Sequence, residues 1–198
     1  MTKPSLILIG GGGHCKSCID VIEQENKFLI AGIVDTNGSI SELLGYPLLG
    51  NDDDLAKLKL NYDYALITIG QIKMPAIRIR LLDYAKSLGF KLPAIISPRA
   101  YVSKHAKIGN GTIIMHDALI NAGVIVGDNC IINTKSLIEH DAVIENNCHI
   151  STGAIINGGA IIKQGSFVGS NATTKESIKT NEKDFIKAGS LFKGYANE

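Results

Sequence analysis

Residues 97–174 are paced by a period of six. Written in sixes from Ala100, the chain reads AYVSKH, AKIGNG, TIIMHD, ALINAG, VIVGDN, CIINTK, SLIEHD, AVIENN, CHISTG, AIINGG, AIIKQG, SFVGSN. The third place is Val102, Ile108, Ile114, Ile120, Val126, Ile132, Ile138, Ile144, Ile150, Ile156, Ile162 and Val168, aliphatic every time, although under a third of the chain is Ile, Leu or Val. The first place is small almost throughout. A short fixed period of this kind predicts a parallel β-helix. Each six residues make a strand and a turn, and three sixes close a triangular coil of 18. Side chains alternate along a strand, so places one and three point inward, and residues 18 apart stack about 4.8 Å from one another. Cys130 and Cys148 are 18 apart and are expected inside the prism as thiols rather than a disulfide. On this pattern the repeat ends at TTKES, and TNEKDFIKAGSLFKGYANE lies outside it.

Residues 1–96 follow a different rhythm, giving two units, 1–96 and 97–198. LILIG (6–10) is an apolar strand ending in glycine. His14 to Lys27 has Cys18, Ile19 and Ile22 at helical spacing. FLIAGIVD (28–35) and NYDYALITIG (61–70) are further strands. A helix over 73–89 carries Ile77, Leu81, Leu82 and Ala85 and stops at Gly89. Apolar strands alternating with helices predict a Rossmann-like α/β unit with a parallel sheet.

The second place of each hexapeptide faces out, yet from Ile113 onward it is nearly all apolar. A contiguous apolar exterior argues for burial against other subunits, and a homotrimer is the simplest closed arrangement. His149 is the only polar residue in that column after Lys107, so it is expected at a subunit boundary, aimed into the cleft there. His140 takes a corner place and should protrude, with Asp141 beside it. From spacing alone it reads equally as a solvated corner residue or as a general base with a neighbouring carboxylate. Gly158 stacks one coil from His140, where a bare backbone N–H could serve an oxyanion. His105 and His116 read as isolated polar turn residues.

Composition narrows the function classes. The formal net charge is +1, with 45% hydrophobic and 20% charged residues. No basic run or basic–aromatic surface points to nucleic acid. No stretch approaches the roughly 20 apolar residues of a membrane span. MTKPSLILIGGGG reads as a strand and turn rather than a signal peptide, and the cytoplasm is the expected compartment. Cys15 and Cys18 form a single CxxC. It lacks the second pair of a zinc ribbon; a redox pair would fit it, and small apolar positions on a helix fit it better. GGGGH opening a helix offers N–H groups and a positive helix end to a diphosphate, but it is not G-x-G-x-x-G, so no dinucleotide oxidoreductase is read.

LIGGGGH (8–14), IVDT (33–36), YPLLGNDDDL (46–55), ITIG (67–70) and INTKSLIEHDAVIENNCHIS (132–151) together carry a resemblance. The chain resembles the sugar O-/N-acyltransferases that join a nucleotide-sugar-binding α/β domain to a left-handed β-helix. These include N-acetyltransferases of nucleotide-linked 4-amino-4,6-dideoxy sugars and the sialic acid O-acetyltransferase branch. The resemblance implies acetyl transfer from acetyl-CoA, as co-substrate with no tightly bound cofactor or metal, to the amine of a nucleotide-linked sugar, with UDP as the expected nucleotide, for bacterial glycan biosynthesis. It implies His140 as base and Asp141 as the acid that raises its basicity. His149, Gly158 and Ser170 match positions along acetyl-CoA. Gly12, Gly13 and His14 match the loop around the substrate phosphates; Asp35 and Thr36 match the base and ribose site, which Gly70 closes. Relatives usually carry further hexapeptides and a Pro-Ala-Lys tail, so a coil is expected to be missing here. O-acetylation of a sialic-acid-like sugar, or a non-catalytic trimer that binds nucleotide sugar, are the alternatives.

Overall fold

A computed structural model describes residues 3–36, 41–72 and 74–195. The first unit is a five-stranded sheet: β1 (Ser5–Ile9), β2 (Leu29–Val34), β3 (Glu42–Leu43), β4 (Tyr46–Gly50) and β5 (Tyr64–Ile67), in the order β3-β4-β2-β1-β5. All pairings are parallel except β3 with β4. The β3–β4 pair was not among the expected strands; it follows a turn at Leu44–Gly45, both with positive φ. β1 lies between β2 and β5, and its Leu6 to Ile9 are fully buried, which is why that run is apolar on both faces.

Helix α1 (Gly13–Glu25) buries Cys15, Cys18, Ile19, Val21 and Ile22. Burial pushes the Cys15 thiol up to about 11 and the Cys18 thiol higher still. Thiols held protonated in a core are poor nucleophiles, so the CxxC is a packing feature. A short helix α2 (Leu55–Leu58) precedes β5. Helix α3 (Ala76–Ser87) departs from the expected stripe. Its buried side is Arg78, Leu81, Leu82 and Ala85, while Ile77 is 57% exposed. Lys73, where that helix was expected to begin, lies outside the described residues.

Sixteen two-residue strands, β6 (Ile95–Ile96) to β21 (Leu191–Phe192), form the left-handed β-helix. They stack into three parallel faces. The inner column from Ile114 to Ile186 is a single apolar core that includes Cys130 and Cys148. Each buried aliphatic side chain there contributes roughly 1.5–3 kcal/mol. The sixth place of every hexapeptide from Gly111 to Gly189 has positive φ. That explains a column rich in Gly, Asn and Asp, the residues that enter the left-handed region most easily.

The coils do not stop at TTKES. β19 (Thr173–Thr174), a bridge at Lys179, β20 (Phe185–Ile186) and β21 continue the stack. The inner places there are Thr174, Thr180, Ile186 and Phe192. Thr174 and Thr180 are buried. Threonine matches valine in shape, and the hydroxyls accept from the backbone N–H of Asn157 (3.0 Å) and Lys163 (2.8 Å). The aliphatic test fails at these two places although the coil persists.

The outer column divides among the three faces. Ile95, Ile113, Ile131, His149 and Phe167 share the first face and are buried, the first four against the chain's own α/β unit. Ile95, Ile113, Met115 and Ile131 form one core with Leu6, Leu8, Cys15, Cys18, Ile19 and Ile22. The second face shows Tyr101, Leu119, Leu137, Ile155 and Leu191, and the third Ile125, Val143 and Ile161; these are exposed or half-buried.

Candidate active site

The expected site residues fall into three places. The first is a cavity of about 610 Å³ where the carboxyl ends of β1, β2 and β5 meet the first face of the β-helix. It is lined by Gly12, Gly13, His14, Asp35, Ile69, Gly70, Gln71, Ile72, Asn133 and His149. An open parallel sheet offers ligands this edge. Gly12 caps α1 in an extended conformation, and a Cβ at Gly12 or Gly13 would meet nothing within 4 Å, so the helix start is approachable. The Asp35 carboxylate accepts the Gly11 N–H and ties the glycine loop to the end of β2. Asp35 also lines an adjoining cavity of about 210 Å³ with Thr36, Asp52 and Arg80, the last two ion-paired at 3.0 Å.

His149 packs within its own chain, a contact the outer column did not suggest. It is 7% exposed and turned onto its own α/β unit. Its Nδ1 donates to the Gln71 carbonyl (2.6 Å), which leaves Nε2 to accept from Asn133 Nδ2 (3.2 Å). Phe167 packs edge-on against the ring, centroids 5.1 Å apart. Burial, with Arg78 nearby, holds His149 down at about 4 against the opposing pull of Gln71. Burial, then Arg78 and His149, depress His14 to about 3, and its Nε2 is buried with no partner among the described residues. Both imidazoles are therefore neutral at physiological pH.

The second place is the corner between the second and third faces. His140 protrudes there, its side chain 68% exposed, with Nδ1 2.9 Å from Asp141 Oδ2. Gly158 lies beneath the ring, so that a Cβ built on it would come within 2.8 Å of His140 Nε2. The third place is the corner between the first and second faces, where Ser170 Oγ sits 3.0 Å from Ser151 Oγ. One chain thus brings together Gly12, Gly13, His14, Asp35, Gly70 and His149, and separately His140, Asp141 and Gly158. It does not bring those groups to one cavity.

Gln71, Asn133 and Arg78 were missed by sequence reading. Gln71 stands just outside ITIG (67–70), and Asn133 lies inside the 132–151 motif but was given no role there. Arg78 had a signal, because positions 78, 81, 82 and 85 make a better helical stripe than one that includes 77. His116 was read as an isolated turn residue, but its Nδ1 is 2.7 Å from Ser97 Oγ and its Nε2 2.7 Å from Asp20 Oδ2. The buried Ser97 and a carboxylate on α1 make it a fastening between the two units, not a surface residue.

Residues 5–85 match the PglD N-terminal domain family, and residues 105–140 match the bacterial transferase hexapeptide repeats. The fold is similar to the acetyltransferase domain of PglB from Neisseria gonorrhoeae, 28% identical over 97% of this chain and 92% of that one, TM-score 0.89. The same domain in complex with acetyl coenzyme A is 27% identical over 96% and 93%, TM-score 0.88. A perosamine N-acetyltransferase mutant from Caulobacter crescentus, in complex with CoA and GDP-perosamine, is 26% identical over 94% and 92%, TM-score 0.69. Comparison with curated proteins finds no match. Both matched families are present in order, and across its length the chain shares the architecture of sugar N-acetyltransferases of the left-handed β-helix type.

Proposed function

We propose that the protein transfers an acetyl group from acetyl-CoA to the amine of a nucleotide-linked amino sugar, a UDP-4-amino-4,6-dideoxy sugar, in glycan biosynthesis. The observation that carries the reading is the His140–Asp141 pair over Gly158, on the corner of a fold whose relatives bind acetyl-CoA and GDP-perosamine. The sugar nitrogen attacks the thioester carbonyl, His140 takes the proton that the nitrogen sheds, and the coenzyme leaves as thiolate. The C–N bond forms as the C–S bond breaks, so no covalent enzyme intermediate is needed. Asp141 accepts from His140 Nδ1 and leaves Nε2 free as the base. The cavity at Gly12, Gly13 and His14 takes the diphosphate on the N-terminal end of α1, and Asp35 and Thr36 take the nucleoside. His149 and Asn133 reach the sugar and acyl end, and Ser170 lies along the coenzyme arm.

In this reading the base of one copy serves the cavity of another. His140 lies between two faces of apolar, half-uncovered residues, Leu137 and Ile155 on one side and Val143 and Ile161 on the other. Packing three copies about those faces covers them and brings a His140 corner toward a neighbour's cavity. The continued coils remove the ground for a non-catalytic scaffold. The test is release of CoA thiol with UDP-, dTDP- and GDP-linked 4-amino sugars, wild type beside His140→Ala. Turnover lost in the variant with sugar binding kept supports the reading; equal turnover in both removes His140 from the mechanism. Turnover with sialic acids alone would replace amine by hydroxyl acetylation.

A further inference from the structure

Arg78 is 1% exposed, and each acceptor it meets among the described residues is a neutral carbonyl oxygen. Nη1 donates to Ile67 O (3.2 Å) and Ile69 O (2.5 Å), at the end of β5. Nη2 donates to Asn129 O (3.0 Å) and Oδ1 (2.8 Å), on a corner of the β-helix. Asn129 Nδ2 donates to Asn147 Oδ1 (2.8 Å), one coil further on. Gln71 Nε2 reaches the same corner at Asn147 O (3.1 Å) and Gly165 O (3.3 Å). Gln71 is two residues from Ile69, so the hydrogen bonds close a ring from α3 through the β-helix and back to the β5 end. A buried cation without a carboxylate is costly. It persists where its geometry is needed, and a planar fork of donors spans two backbones as no lysine can.

We propose that Arg78 is a positioning residue: it fastens the Ile69–Gln71 wall of the ligand cavity to the β-helix, so that the Gln71 carbonyl holds His149 in one tautomer, its Nε2 turned to the ligand. The inference rests on the proposed acetyl transfer for its kinetic readout alone. The ring and the tautomer exist in the free protein.

Arg78→Lys keeps the charge and loses the fork. Asn129→Gly removes one of the two Nη2 acceptors and the link to Asn147, leaving the bond to the residue-129 carbonyl, and keeps the positive φ of 55° that the corner demands. For both variants the ¹⁵N shifts of the His149 ring are recorded without ligand. KM for the nucleotide sugar and for acetyl-CoA are measured well below the melting temperature. We expect the single-tautomer pattern of the wild type to become mixed in both, with sugar KM raised tenfold or more and acetyl-CoA KM within twofold. A single His149 tautomer in both variants overturns the proposal, whether or not the enzyme turns over the sugars tried. So does a lowered melting temperature with both KM values moved equally, which is what a purely structural role gives.

Discussion

The imidazole of His140 rests on the backbone of Gly158, one coil along the same corner, with no room for even a methyl group between them. Gly158 is not in the left-handed region, so its backbone accepts alanine without strain; the ring does not. Gly158→Ala should therefore displace His140 by about 1 Å and lower kcat roughly 10- to 100-fold with little change in melting temperature. Steady-state kinetics beside a thermal melt checks this; a large fall in melting temperature with kcat intact would show that the glycine serves packing alone.

Asp141 has two separable duties. It holds a corner with φ of 59°, and its carboxylate accepts from His140. Asparagine fills the same corner place at Asn129, Asn147 and Asn171, so Asp141→Asn should fold as the wild type does. Loss of the carboxylate should cost about tenfold in kcat, and His140→Ala about 10²- to 10⁴-fold. Rates for the two variants, with circular dichroism as control, decide it.

The division of site residues between a corner and a cavity makes a mixing experiment decisive. His140→Ala and His14→Asn chains should each be weak alone. Unfolded together and refolded, they should regain a fraction of wild-type turnover, because some assembled cavities receive an intact base from a neighbour. Mixtures no more active than the sum of the two would place the reaction within one chain.

Stability should fall in mild acid. His14 and His149 titrate near 3 and 4 in the folded chain, below the usual 6.5, so the unfolded chain binds protons that the folded one refuses. The stabilisation is fully present above the unfolded value and is lost as pH drops below about 6.5. Between pH 7 and pH 5 each histidine should remove roughly 2 kcal/mol. Urea unfolding at the two values measures the loss, and His14→Asn should halve it.

Thr180→Val restores the aliphatic repeat and should nonetheless destabilise. The hydroxyl accepts the Lys163 N–H inside a ladder that the methyl group cannot replace. A buried N–H left without a partner costs about 1–3 kcal/mol. A rise in the melting temperature instead would mean that the N–H finds the Thr180 carbonyl.

The β-helix was legible because its inner place answers to one steric demand, a branched apolar side chain; the corner's demand for Gly, Asn or Asp became visible only with its positive φ. Where the inner place took threonine, at Thr174 and Thr180, the demand was met by shape and hydrogen bonding, which a count of aliphatic residues does not register. The outward direction of place two was legible, but what covers it was not. The first face meets the chain's own α/β unit, and His149 lies against Gln71. The glycine loop, Asp35 and the His140 corner stood out as motifs. Arg78 and Gln71 did not, and Asn133 carried no signal of its own inside its motif, because all three act across the join between two units whose relative placement no local pattern encodes.

All four thiols, Cys15, Cys18, Cys130 and Cys148, are unpaired and have no accessible surface. A chromogenic disulfide reagent added to the folded protein should therefore give no colour of its own. The coenzyme released at each turnover can be counted against a blank protein, with no cysteine replaced. The same silence makes the reagent a clock: any slow colour without substrate times how often the prism and the α/β core open.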